Sequence, residues 1–250
     1  MKIKKLISAL VLGSMLVGLS GCNITDFSAE NLLRPPKAVG DEAEIEQLIA
    51  KTADSGYTLK YPKNGKFRSA IIMTDLDGND SNEAVAFFRN SAETSSVHML
   101  VMYSKDNSWE IASDNIFETT DIDSVDFADL TGNGKAEIIV NSTTYTPNVG
   151  KLSCYSYSEG KTNEVGSGQS CSSFVTGDFD NDGTSEIMSL VLYTTENEAL
   201  ASMLDYNEDS KSLYAKAMAN MDPNVVKYKN IAVTKLDNDI CLLYTSDAAD

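Results

Sequence analysis

Histidine is almost missing from this 250-residue chain, which carries only His98. A histidine-rich zinc site is therefore excluded, and a Ser-His-Asp triad would have to recruit His98 without any Gly-x-Ser-x-Gly turn to present its serine. No glycine-rich phosphate loop follows a strand-like run. Basic side chains are also scarce, 20 against 37 acidic ones for a net charge of −17. Nucleic acid and anionic headgroups want a basic face and are poor partners for such a chain. Cysteine is sparse at four. Cys154 and Cys171 are the two that an exported protein could oxidise. Both align with apolar residues in the repeats described below, where a free thiol behaves as a small hydrophobe.

Long apolar runs are lacking as well. The run from Leu6 to Leu19 is shorter than the roughly 20 residues of a membrane span, and with Lys2, Lys4 and Lys5 before it and small residues after it has the three parts of a secretory signal. Leu19-Ser20-Gly21-Cys22 resembles a bacterial lipobox. The resemblance implies cleavage before Cys22, a diacylglycerol on its sulfur and a mature protein tethered outside the cytoplasmic membrane. The polar, proline-marked stretch that follows suits a flexible tether.

What the chain has in quantity is one acidic phrase in three copies: DLDGNDSNEAV from Asp75, DLTGNGKAEII from Asp129 and DFDNDGTSEIM from Asp178. Positions one, three and five carry oxygen-bearing side chains: Asp75, Asp77 and Asn79; Asp129, Thr131 and Asn133; Asp178, Asp180 and Asp182. Ser81, Lys135 and Thr184 stand at position seven, where a backbone carbonyl would serve, and Glu83, Glu137 and Glu186 stand at position nine. This is the layout of a loop wrapped around a hard cation such as Ca²⁺, which takes several oxygen ligands. Tyr103, Tyr157 and Tyr206 each follow the first Asp of their copy by 28 residues, which reads as a shared landmark in the core. The same alignment sets His98 opposite Leu152 and Ala201, on a packing face. An EF-hand is excluded because position twelve is Ala86, Val140 or Ser189, not a bidentate acid, and the flanks are not helical.

The flanks read as short strands joined by hairpin turns, four per copy over ~50 residues, the size of a propeller blade. Copies start at Asp75, Asp129, Asp178 and a degenerate Lys235, which are 54, 49 and 57 apart. In the last only Asp237 and Asp239 fit. DEAEIEQLIAKTA from Asp41 has Ile45, Leu48 and Ile49 at helical spacing with acids at its start, so a short helix is expected there. YTLKYP then reads as a strand that could complete a last blade.

These loops resemble the calcium-loop repeats of the FG-GAP and VCBS families, over residues 68–240. The resemblance implies an all-β fold, a partial β-propeller of four-stranded antiparallel blades, preceded by the signal peptide, a tether and the short helix. The third copy matches best; the second departs at Thr131 and Asn133, and the first has Asp80 where Gly is usual. Counting carboxylates puts calcium affinity in the order third, first, second. The last ten residues, CLLYTSDAAD, resemble a translated sequencing adapter. The expected organisation is 1–21 signal, 22–40 tether, 41–66 helix and strand, and 67–118, 119–168 and 169–228 as blades. A truncated fourth blade would follow at 229–240, and 241–250 would be foreign. The expected role is a non-enzymatic binding or scaffolding module at the cell surface, anchored to the membrane through Cys22, with an unidentified protein or glycan ligand. The rival is a glycan-binding or polysaccharide-processing propeller, in which Trp109 and the tyrosines would stack on sugars.

Overall fold

The computed structural model describes residues 40–53, 56–146, 148–193 and 198–221, together with the backbone of 228–236 and 239–246. The signal peptide, Cys22 and Asp237 lie outside the described residues. One helix, α1 (Asp41–Ala53), opens the described chain. Asp41, Glu42 and Glu44 sit in its first turn and Lys51 in its last, which complements the helix dipole. Its buried Ile45, Ile49 and Ala53 pack on Phe88, Leu100, Met102 and Trp109.

The rest is β. The first sheet comprises β1 (Tyr57–Leu59), β2 (Ile71–Thr74), β3 (Glu83–Asn90), β4 (Val97–Lys105) and β5 (Ser108–Phe117). β1 and β2 pair with consecutive stretches of β3, residues 88–90 and 83–86, so together they make one interrupted edge strand. The sheet therefore has four positions. YTL, expected to serve a last blade, belongs instead to the first sheet.

The second sheet runs in order β6 (Ile122–Ala128), β7 (Glu137–Thr143), β8 (Gly150–Ser158), β9 (Lys161–Cys171). The third repeats it with β10 (Ser173–Gly177), β11 (Glu186–Tyr193), β12 (Glu198–Asn207) and β13 (Ser212–Asn220). All pairings are antiparallel. β14 (Tyr228–Leu236) and β15 (Asp239–Ser246) pair with each other. Among the described residues the sheets follow one another and form no closed ring.

Neighbouring sheets bury faces against each other. Val85, Phe87, Met99 and Val101 of the first meet Val125, Ile138, Tyr155 and Tyr157 of the second. Ile139, Leu152 and Cys154 of the second meet Ile187, Leu204 and Leu213 of the third. Cys154 and Cys171 are free and buried, as the apolar alignment implies.

The tyrosine landmark needs correction. Ile138 pairs with Tyr155 and Ile187 with Leu204, but the equivalent Ala84 pairs with Met102, one residue nearer the tyrosine. A one-residue slip sends a strand side chain to the other face. Tyr157 and Tyr206 pack toward the preceding sheet, whereas Tyr103 packs toward the following one. For the same reason the residue equivalent to Leu152 and Ala201 is Met99, not His98.

The interruption between β1 and β2 ties the first two sheets together. Lys63 N donates to Ile122 O and Asn64 N to Asp123 O, at 3.2 and 2.7 Å, along the outer edge of β6. Lys60 Nζ reaches Asp121 at 2.6 Å, Lys66 Nζ reaches Asp126 at 3.2 Å, and Phe67 meets Phe127 edge to face. This strap covers an edge that would otherwise offer free backbone groups.

Candidate metal centre

Each acidic loop joins the first two positions of its sheet, and three hydrogen bonds recur in all of them, from position six to one, seven to five and two to nine. The position-one Asp accepts backbone N–H groups across the turn: Gly78 and Asp80 on Asp75, Asn133 and Gly134 on Asp129, Asn181 and Gly183 on Asp178. Position five accepts from position seven at 2.7 to 2.8 Å, through Asn79, Asn133 and Asp182. The closing Glu accepts the N–H of Leu76, Leu130 or Phe179 at 2.7 to 2.8 Å. Position six is left-handed in every copy, at Asp80 (φ 64°), Gly134 (φ 80°) and Gly183 (φ 97°). Position four is left-handed too, at Gly78, Gly132 and Asn181, a requirement the sequence pattern did not announce.

The loops differ in what is left over. In the third, ligand atoms of Asp178, Asp180, Asp182 and Glu186 all lie within 4.8 Å of one another. Glu186 is fully buried, and while its Oε2 accepts from Phe179, its buried Oε1 has no hydrogen-bond partner. A buried carboxylate oxygen without a donor is costly, and a cation is a compensation that such a cluster could hold. The first loop gathers Asp75, Asp77 and Glu83 in the same way and leaves Asp77 Oδ1 buried and unpartnered. In the second the Thr131 hydroxyl donates to Glu137 Oε1 at 3.2 Å, and the N–H groups of Leu130 and Thr131 reach Oε2. Its closing Glu is satisfied from within. The oxygen donor sets of the third and first loops thus fit a hard cation, and the second, with Asp129 and Glu137 as its only acids, fits one less well.

The closing Glu is pushed the same way in all three loops. Burial, with Asp77 and Asp75 nearby, raises the pKa of Glu83; burial with Asp129 raises that of Glu137; burial with Asp180, Asp182 and Asp205 raises that of Glu186. At Asp75 loss of water acts against the charge, but the N–H groups of Asp80, Gly78, Asn79 and Asp77 outweigh it and hold the carboxyl below its usual range. Tyr157 lies close enough that burial, together with Glu83 and Asp77, pushes its hydroxyl up to about 12.

The loops are also tied to one another. Ala136 N donates to Leu76 O at 3.0 Å, and Ser185 N to Asp129 O at 2.8 Å. A Cβ on Gly132 would stand 2.6 Å from Thr184 Cγ2, so the second and third loops touch where only glycine fits.

One participant escaped the sequence reading. Lys216, on β13, places Nζ 2.5 Å from Asp180 Oδ2 and 2.9 Å from Asp205 Oδ2. It is the extra residue of a β-bulge opposite Met203 and Leu204, and the matching bulges hold Ala112 and Val165. The bulge residues lie 37, 36 and 38 positions after the first Asp of their copies, so no fixed spacing reveals them.

The residues weighed for other chemistry sit elsewhere. His98 is buried, stacked on Phe88, with Nδ1 2.9 Å from Asp114 and Nε2 3.5 Å from Glu93. Trp109 is buried beneath α1 and offers no face to a sugar.

No protein family's sequence profile matches the chain, and no curated protein matches it. A solved structure titled "NanB plus Optactamide" is similar at 15% identity and a TM-score of 0.40 over 77% of this chain. This chain spans 30% of that one, a likeness too distant to bear on function.

Proposed function

We propose that this chain is a calcium-stabilised, lipid-anchored extracytoplasmic protein built on FG-GAP/VCBS-type propeller repeats, serving as a non-enzymatic binding or scaffolding module at the bacterial cell surface. The observation that carries the reading is Glu186: a fully buried carboxylate with an orphaned oxygen, among three aspartates whose ligand atoms converge within 4.8 Å. Three like sheets with packed faces, each with its acidic loop between its first two strand positions, support the blade reading. Asp178, Asp180, Asp182 and Glu186 in one loop, and Asp75, Asp77 and Glu83 in another, would hold calcium; bound there it would offset the crowded negative charge and lock the loops. Function beyond that lies in whatever surface the scaffold presents.

A ligand that binds only the folded state stabilises it by mass action. Millimolar calcium should raise the melting temperature of the full chain and chelator should lower it. Asp180→Ala should remove more of that shift than Thr131→Ala. Melting that ignores calcium sinks the reading and leaves three acidic turns.

A further inference from the structure

We propose that Lys216 is an internal competitor for the third loop's cation, so that this loop, the richest in carboxylates, fills after the first and not before it. The inference rests on the calcium reading above and specifies how that site is set.

Both oxygens of Asp180 are engaged within the protein. Oδ1 accepts the N–H of Asp182 at 3.2 Å and Oδ2 accepts the Lys216 ammonium. Asp77 holds the equivalent position in the first loop, and its Oδ1 is buried without a hydrogen-bond partner. The residue matching Lys216 there is Ala112, which has no charge and no reach. A cation entering the first loop meets a waiting oxygen. One entering the third must draw Asp180 away from an ammonium, which then stands as a like charge beside the incoming ion. Glu186, fully buried with Oε1 unpartnered, still marks the third loop as a cation cage independently of the acid cluster.

The bulge explains why Lys216 is placed for this. Val165 at the same point of the second sheet is buried in the core shared with the third sheet, and Ala112 packs into the core between the first two. Lys216 instead runs to Asp180 and Asp205, and Asp205 also accepts the Tyr214 hydroxyl at 3.0 Å. Asp205, which is not among the loop's own ligand positions, thus leaves the lysine a carboxylate to keep when a divalent ion takes Asp180.

The test is a calcium titration of the ¹⁵N-labelled full chain, following the amides of Gly78 and Gly183 as separate reporters of the first and third loops. Gly78 should respond at the lower calcium concentration. Lys216→Met should move the Gly183 midpoint down by a factor on the order of ten, as loop charge tunes such sites, and leave Gly78 in place. Lys216→Arg should keep the wild-type order. Lys216→Gln serves as the neutral variant if methionine disturbs the bulge. A Gly183 midpoint that stays within about twofold in the neutral variants, against the tenfold effect that removal of a neighbouring charge predicts, overturns the competitor but leaves the calcium reading intact. Gly183 responding before Gly78 in the unaltered chain does the same. If neither amide responds in any variant, the calcium reading fails and the competitor falls with it.

Discussion

A carboxylate sealed from water needs compensation, and Glu186 has only the Phe179 N–H on one oxygen while its other oxygen has no hydrogen-bond partner. Burial and then Asp180, Asp182 and Asp205 all push its pKa up. Glu186→Gln removes the charge while leaving an oxygen for the Phe179 N–H. Two effects of opposite sign follow. In chelator the variant should melt at or above the parent, by roughly 2–4 °C for each kcal/mol recovered. In calcium it should lose the third loop's share of the stabilisation and melt below the parent. Paired melting curves in chelator and in calcium check both, and a variant that loses stability equally in the two conditions would assign Glu186 a purely structural role. At this scale the sequence was legible where side-chain oxygens recur at fixed spacing and mute where geometry decides. The convergence of Asp178, Asp180, Asp182 and Glu186 could be read from their positions alone. Lys216 could not, because a bulge places it, and nothing in a nine-residue motif refers to the opposite edge of the sheet.

Elements are held together here by devices between sheets as much as by pairing within them. The strap between β1 and β2 is the clearest, with Lys60 and Lys63 converging on Asp121 at 2.6 and 3.1 Å. Burial works against the Asp121 charge, but the two lysines outweigh it and lower its pKa. A lowered pKa contributes stability that is fully present above the ordinary value of about 3.9 and is lost as pH falls through the folded value. Asp121→Asn should therefore cost about 0.5–1 kcal/mol near neutrality, at the upper end for a partly exposed pair. The difference should narrow as pH falls below the ordinary value and vanish only below the lowered folded value. Denaturant unfolding of both proteins across a pH series from 7 down to 2 measures it; a gap that does not narrow in acid would mean that packing, not charge, carries the strap. Strand-like runs and hairpin turns made the strands readable along the chain, and the helical spacing of Ile45, Leu48 and Ile49 did the same for α1. The partner of YTL was not, because a three-residue strand is equally at home on any free edge. The tyrosine register misled for a related reason: equal spacing along the chain survived a one-residue slip that reversed the face of Tyr103.

For the whole molecule the dominant fact is a net charge of −17 on a scaffold whose acids converge at turns. Such a surface calls for counter-charge, which in the proposed extracytoplasmic role calcium would supply. The proposed anchor belongs to this scale as well. Cys22→Ala should leave the precursor uncut by lipoprotein signal peptidase and shift the protein out of the detergent phase. Retention of the variant with lipid would sink the anchor.

The backbone links between the loops carry one more consequence. Ala136 of the second loop holds the first by Leu76 O, and Ser185 of the third holds the second by Asp129 O. The middle loop, poorest in carboxylates and closed by its own Thr131, is thereby clamped on both sides by the two that fit a cation best. With calcium in those two loops, as proposed, it would act as a splint between two locks and gain rigidity from ions it need never touch.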